Sequence, residues 1–203
     1  MSTPKFAKTL LIVFSLILLL VAQSCKTNTG DPDPEPEPET ENPYNISVTE
    51  IAAIDPGEST TITGDISSGI IIDELDWAAF SNVACFPATR FVEYQGNQLF
   101  YEVDIPQGSE LVVRLNSIGE PRKRINLYGY IDFKGNNLPP IQSVRSCEAG
   151  YPLYVGTPDL SDPGDTRQIS FAQAVNNPFT ALIVVSGAQG ITSGEFEMIV
   201  ELQ

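Results

Sequence analysis

The sequence predicts an all-β fold, an antiparallel β-sandwich, on the basis of three observations. Apolar and polar residues alternate in four separate runs, which is the period of strands with one buried and one solvated face. Turn-forming residues separate these runs, as at Asp55-Pro56-Gly57, Pro106-Gln107-Gly108 and Asp162-Pro163-Gly164. Residues 44–203 number 160, which is enough for one domain with a sizeable core.

The individual elements follow from the same patterns. Strands are expected at Ile46–Ile51, Thr60–Thr63 and residues 99–105, 110–115, 125–133 and 195–202. Phe179 to Val185 is apolar on both faces and rich in β-branched residues, so we expect it in the middle of a sheet. One short helix is expected between Asp73 and Ala84, with Trp77 and Phe80 filling the edge of the core.

The first 25 residues have the features of an export signal. Lys5 and Lys8 precede an apolar run, Leu10 to Val21, that is shorter than the roughly 20 residues a membrane span needs. The following stretch Val21-Ala22-Gln23-Ser24-Cys25 resembles the lipobox of bacterial lipoproteins. This resemblance implies cleavage after residue 24 and an anchor of several acyl chains on Cys25, whereas ordinary secretion is the alternative because Ala22-Gln23-Ser24 approximates a standard cleavage site.

The mature chain is strongly acidic and begins with a spacer. Cleavage removes Lys5 and Lys8, so nine basic side chains remain against 26 acidic ones and the net charge becomes −17. Such a charge repels nucleic acid, which excludes a nucleic-acid partner. Residues 26–43 form a separate zone in which proline alternates with acids from Asp31 to Glu39, and this predicts a disordered, extended tether between the anchor and the domain. The acids after Lys26 also resemble the sorting signals of surface lipoproteins of Bacteroidota.

Residue types limit the chemistry that this chain could perform. It contains no histidine, which excludes Ser-His-Asp and Cys-His nucleophiles and histidine-ligated zinc. The phosphate-binding loop and the nucleophile elbow are absent as well. Cys85 and Cys147 remain after lipidation of Cys25, and they could form a disulfide, a redox pair or part of a metal site. An oxidising exported setting and the absence of C-x-x-C spacing favour the disulfide.

The second half of the chain resembles bacterial pre-peptidase C-terminal domains. An aromatic strand at residues 100–105, the turn Pro106-Gln107-Gly108 and a second strand from Glu110 are similar to the start of that family. Arg124 to Tyr128 resembles its Asp-Leu-Tyr strand, with Asn126 in place of the Asp, and residues 177–200 resemble its closing hairpin. The resemblance covers roughly residues 97–203 and implies a jelly-roll-like, non-catalytic accessory module.

Two further groups of residues are candidate binding sites. Asp73-Glu74-x-Asp76 and the trio Asp159, Asp162 and Asp165 offer oxygen ligands for Ca²⁺, although acids at these positions are also typical of turns, and no other cofactor is expected. Tyr128 and Tyr130 lie on the same, otherwise polar side of one predicted strand. If exposed, the two rings could form a platform for a glycan or a protein partner, and the alternative is that a neighbouring loop or the other sheet covers them.

These observations favour a lipid-anchored, acidic β-sandwich of the cell envelope that binds a partner or supports an envelope complex. We expect it at the outer membrane, on the cell surface or on the periplasmic side, with a glycan or an envelope protein as partner. A carboxylate-dependent hydrolase acting on glycans is one alternative, and it requires an acidic cleft with a carboxylate of raised pKa. A structural envelope protein without a ligand is the other alternative.

Overall fold

The computed structural model describes residues 43–80, 84–132, 138–141, 146–150, 166–172 and 179–203. The predictions for the export signal, for Cys25, for the tether up to residue 42 and for Asp159, Asp162 and Asp165 therefore lie outside the described residues. All the described residues belong to one compact unit. None of the helices among them is long and apolar enough to cross a membrane.

Strands make up half of the described residues. They are β1 Val48–Glu50, β2 Ser59–Asp65, β3 Ile70–Ile71, β4 Asn97–Ile105, β5 Glu110–Ser117, β6 Ile125–Asp132, β7 Cys147–Gly150, β8 Arg167–Ala172, β9 Phe179–Gly187 and β10 Glu195–Leu202. The helical elements are a 3₁₀ turn at Ile66–Ser68, the α-helix α1 at Asp76–Phe80 and a 3₁₀ helix at Ala88–Glu93. The predicted strands are all present, and α1 lies inside the segment predicted to be helical.

The strands form two sheets. The larger sheet has the order β1-β4-β9-β6-β7, with β3 also pairing with β4, and the smaller sheet has the order β2-β10-β5-β8. Pairing is antiparallel except between β1 and β4, which are parallel. The prediction that Phe179 to Val185 is a central strand is confirmed, because β9 lies between β4 and β6. The fold is an all-β sandwich.

The main core lies between the two sheets, and it consists of the inward side chains that the alternating pattern predicts. From the larger sheet come Val103 and Leu127, and from the smaller sheet come Val113 and Met198, all of them buried. Because successive side chains of a strand point to opposite faces, the intervening residues of each strand face away from this core. What happens to those outward residues differs between the two sheets.

The outer face of the larger sheet is covered by the chain itself. The covering segment, which we define as residues 72–80 and 84–94, packs Trp77, Phe86 and Tyr94 against the outward side chains of β4, β6 and β9. This second cluster is as well buried as the main core. The prediction of one polar, solvated face is therefore wrong for β6 and for the first part of β4, because the outward side chains of Tyr128, Tyr130 and Gln98 are buried beneath the covering segment. Asp104, near the end of β4, is exposed as predicted. Trp77 is buried as predicted, but Phe80 is 72% exposed and does not fill the core.

Two of the predicted turns have the backbone conformation that favours glycine. Gly57 has a φ of 89° and Gly108 has a φ of 79°, and neither position would bring an added Cβ near another atom. The left-handed conformation is therefore the reason for glycine at both positions.

Asp65 ends β2 and caps the following 3₁₀ turn. Its carboxylate accepts hydrogen bonds from the backbone N–H groups of Ser67 at 2.7 Å and Gly194 at 3.3 Å. The Ser67 hydrogen bond lowers the pKa of Asp65 below 3.8, with a smaller contribution from Gly194. The ionised form is therefore the one that stabilises the fold.

We expect Asp65 to contribute to acid sensitivity. A depressed folded-state pKa gives a stabilisation that is present above the unfolded-state pKa and is lost as the pH falls through the folded-state pKa. The variant Asp65→Asn keeps a capping side chain but does not titrate there. Urea denaturation between pH 7 and pH 2 should show the advantage of the unmodified protein over Asp65→Asn shrinking below about pH 4. A constant difference over this range would contradict the assignment.

Candidate functional site

The predicted tyrosine platform is not on the surface. Tyr128 is 0% exposed and Tyr130 is 1% exposed, both beneath the covering segment. Trp77 packs on Tyr130 edge to face, with ring centroids 5.7 Å apart, and Tyr94 and Phe86 contact Tyr128 in the same manner at 5.4 Å and 5.6 Å. The prediction that these rings form an exposed ligand platform is wrong, and the alternative that a loop covers them is correct.

The hydroxyl of Tyr128 belongs to a buried network of hydrogen bonds. It donates to Gln98 Oε1 at 2.8 Å, and Gln98 Nε2 donates to the carbonyl of Tyr94 at 2.8 Å. Ser186 Oγ donates to the same carbonyl at 3.0 Å. Burial raises the pKa of Tyr128, which keeps the phenol protonated as a donor. The polar atoms of this tyrosine therefore attach the covering segment to the sheet.

A cluster of charged and polar residues attaches the end of the covering segment to β6 of the larger sheet. Glu93 is 2% exposed, and its carboxylate accepts a hydrogen bond from Arg124, which is 11% exposed. Asn126 Nδ2 donates to the Glu93 carbonyl at 2.7 Å, and Arg167 Nε donates to Asn126 Oδ1 at 3.1 Å. Arg90 lies 3.8 Å from the Glu93 carboxylate. Sequence reasoning missed this cluster, because Glu93 and Arg124 are ordinary surface residue types 31 positions apart.

The contacts of Glu93 indicate a structural role. Its carboxylate forms an ion pair with Arg124 and lies 3.8 Å from the guanidinium of Arg90, so its contacts are with other side chains of the fold. Among the described residues, no three His, Cys, Asp or Glu side chains are grouped so that they could hold a metal ion. The chemistry of this cluster is therefore the neutralisation of a buried carboxylate.

Removing Arg124 is expected to destabilise the domain. Arg124→Met keeps much of the side-chain volume but leaves Glu93 buried with the more distant Arg90, and we expect a loss of about 2 kcal/mol in the free energy of unfolding. Arg124→Met combined with Glu93→Gln should lose less than the sum of the two single changes, because the double variant no longer contains a buried carboxylate without its Arg124 partner. Urea denaturation of the four proteins measures this coupling, and strict additivity would contradict it.

Cys85 and Cys147 form a disulfide, as predicted. The two residues are 62 positions apart, and their Cα atoms are separated by 4.7 Å. Cys85 lies in the covering segment, and Cys147 begins β7 beside Tyr130 of β6. The bond therefore connects the covering segment to the edge of the larger sheet. Because both sulfur atoms are in the disulfide, the alternative of a metal site is wrong for this structure.

The acidic group near α1 does not gather around a common centre. Asp73, Glu74 and Asp76 are all exposed, and Asp73 accepts a hydrogen bond from the Tyr44 hydroxyl at 3.3 Å. Burial, and then the nearby carboxylate of Asp73, raise the pKa of Tyr44. These acids belong to the solvated surface of the covering segment.

The outer face of the smaller sheet is more open to solvent than that of the larger sheet, and Val112 of β5 is its one buried apolar side chain among the described residues. Met198 and Val200 of β10 point into the main core, so Glu197, Ile199 and Glu201 point outward. We call this outward surface of β2, β10, β5 and β8 the open face. One row across it consists of Thr61, Ile199, Arg114 and Gln168, which are neighbours in register. Every outward side chain of β2 up to residue 63 is exposed.

Acids predominate on the open face. The five outward carboxylates and the one outward guanidinium are Asp65, Glu110, Glu195, Glu197, Glu201 and Arg114. Arg114 is held in place by Glu201 Oε2 at 2.6 Å and by Gln168 Oε1 at 3.0 Å. The hydrogen bond from Arg114 lowers the pKa of Glu201. Glu197 has no such cation opposite it in the register, where Thr63 and Asn116 flank it.

No protein-family model matches this chain, and no curated protein matches it significantly. Among solved structures, it is similar to Aeromonas hydrophila PliG, a periplasmic lysozyme inhibitor of g-type lysozyme, with 13% identity over 78% of this chain and 97% of that chain and a TM-score of 0.38. It is also similar to the pre-peptidase C-terminal domain of collagenase from Bacillus anthracis, with 11% identity over 80% of this chain and 100% of that chain and a TM-score of 0.39. At these identities no residue role can be carried over, so the surface of this chain must indicate its function.

Proposed function

We propose that this protein is a lipid-anchored β-sandwich of the cell envelope that binds a partner and does not catalyse a reaction. The export signal, the lipobox-like Cys25 and the acidic tether support attachment to the outer membrane at the end of an extended spacer. The domain at the end of that spacer is then free to meet a partner in the periplasm or outside the cell.

The observation that supports binding is the difference between the two sheet faces. The chain covers the outer face of its larger sheet with Trp77, Phe86 and Tyr94, and it fastens that cover with the Cys85–Cys147 disulfide. Among the residues that the structure describes, Ser59, Thr61 and Thr63 of the open face are exposed and have no comparable cover. An uncovered face of four strands suits a macromolecular partner better than a small substrate, which needs a concave pocket.

Binding can be tested in cells by placing a photo-crosslinking amino acid on each side of the domain. Position 63 lies on the open face, and position 74 is an equally exposed control on the covering segment. We expect Thr63 variants to yield a discrete adduct with an envelope component and Glu74 variants to yield none. If neither position gives an adduct in protein that reaches the membrane, the structural alternative without a ligand is favoured. Turnover of a chromogenic glycoside would favour the hydrolase instead.

The anchor is tested independently of binding. Full-length protein with a lipidated Cys25 should partition into the detergent phase, and Cys25→Ser should either release it or leave an uncleaved precursor. Mass spectrometry of the mature N-terminus measures the modification directly. A soluble mature protein with a free Cys25 amine and thiol would show ordinary secretion.

A further inference from the structure

We infer that the open face recognises a basic surface of a folded protein partner. This inference rests on the proposed function and names the chemistry of the partner. Five outward carboxylates share the face with one guanidinium, and that guanidinium is already bound to Glu201 and Gln168. The charge that remains available to a partner is therefore negative, and it lies within a chain whose overall charge is also strongly negative.

The acids are arranged around a less polar centre. Ile199 occupies the middle of the face, next to Thr61 on one side and Arg114 on the other. Glu197 and Glu201 precede and follow it on the same side of β10, each about 7 Å away by the rise of a strand. An apolar contact surrounded by charges is the usual anatomy of a protein interface.

The residue types of the open face favour a protein over a glycan. The described outward positions of β2, β10, β5 and β8 contain no aromatic ring on which a sugar could stack. An anionic lipid surface is also disfavoured, because like charges repel at short range. A partner with lysine and arginine side chains can pair with Glu197 and Glu110, and its approach is accelerated by the negative field of the whole domain.

The size of the face predicts a transient contact. Four strands about 4.8 Å apart and about seven residues long cover roughly 19 Å by 23 Å, or about 440 Å². A stable complex buries about 800 Å² on each partner, so the open face supplies roughly half of that area. Electrostatic attraction must then supply much of the affinity, and the complex should be sensitive to salt.

The test uses the full-length protein in a neutral detergent and cytochrome c as a folded basic probe. Acetylated cytochrome c has the same fold without its lysine charges, so it is the matched negative probe. The variant Glu110→Lys with Glu197→Lys changes the open face, and Glu50→Lys with Glu74→Lys makes the same change in net charge at exposed positions elsewhere. Affinity is measured by titration at 50 mM and 500 mM NaCl.

We expect the probe to bind at low salt, and we expect the open-face variant to raise the dissociation constant about tenfold while the control raises it about twofold. Acetylated probe and high salt should both abolish binding. Equal weakening by the two variants, or binding that survives acetylation, would overturn the inference. If either of these two results is obtained while position 63 still crosslinks to an envelope component, the inference fails and the proposed function stands. If that adduct is absent, the proposed function itself fails.

Discussion

Replacing both Cys85 and Cys147 by serine is expected to lower the free energy of unfolding by about 4 kcal/mol. The bond closes a loop between residues 62 positions apart, and a loop of that length removes a corresponding amount of conformational entropy from the unfolded chain. For a domain of this size we expect the melting temperature to fall by about 10 °C. Thermal and urea denaturation of the double variant measure the effect.

Removing the disulfide should destabilise the covering segment before it destabilises the main core. Val103, Leu127 and Met198 belong to the main core, whereas both cysteines belong to the second cluster. Phe86 follows Cys85 directly and packs on Tyr94 at a ring distance of 4.2 Å. Hydrogen exchange should therefore accelerate in residues 84–94 of the double variant more than in β9. If the double variant unfolded at the same urea concentration as the unmodified protein and its hydrogen exchange were unchanged, aromatic packing alone would hold the covering segment in place.

The strands of the sandwich could be predicted because their inward side chains follow a local rule. Inward residues such as Leu111, Val113 and Leu115 alternate with outward ones regardless of what covers the outer face of the sheet. The alternation in the sequence therefore predicts the main core directly. The central position of β9 could be predicted for the same reason, since it is apolar on both sides. The parallel pairing of β1 with β4 has no local signature, because it depends on where a separate segment returns to the sheet.

The covering segment could not be predicted, because its contacts are distant in sequence and its elements are short. Tyrosine in an outward position is consistent with exposure and equally with burial of the ring when the hydroxyl has a partner. Tyr128 finds that partner in Gln98, 30 residues away. One signal was available: Trp77, Phe86 and Tyr94 concentrate large aromatic side chains in a segment without strand periodicity, and such side chains need a surface on which to pack.

The open face could be predicted only in part. The alternation of β10 placed Glu195, Glu197 and Glu201 on one side of a strand, but nothing in that pattern shows which sheet the chain leaves uncovered. Glu102 and Asp104 alternate with apolar residues in the same way on β4 of the larger sheet. The distinction depends on the covering segment, so the candidate site became identifiable only when both outer faces were compared.

Replacing Tyr128 and Tyr130 together by alanine is expected to leave the domain largely unfolded. Truncation of a fully buried aromatic side chain costs about 3–5 kcal/mol, and the domain has a total stability on the order of 5–15 kcal/mol. Both rings contact Trp77, so their cavities would join beneath the covering segment. Circular dichroism and urea denaturation measure the loss. A stable, folded double variant that fails only in binding would instead support the exposed platform.

Two matched changes separate burial from aromatic character. Tyr128→Phe keeps the ring and removes only the hydrogen bond to Gln98 Oε1, so it should cost about 1–3 kcal/mol because a buried acceptor loses its donor. Phe80→Ala removes an aromatic ring that is 72% exposed at the end of α1, and we expect a change within about 0.5 kcal/mol. Burial therefore predicts that the loss in the free energy of unfolding is largest for Tyr128→Ala with Tyr130→Ala, smaller for Tyr128→Phe and smallest for Phe80→Ala. If Phe80→Ala destabilised the domain as much as Tyr128→Phe, burial beneath the covering segment would not be the cause of the tyrosine effect.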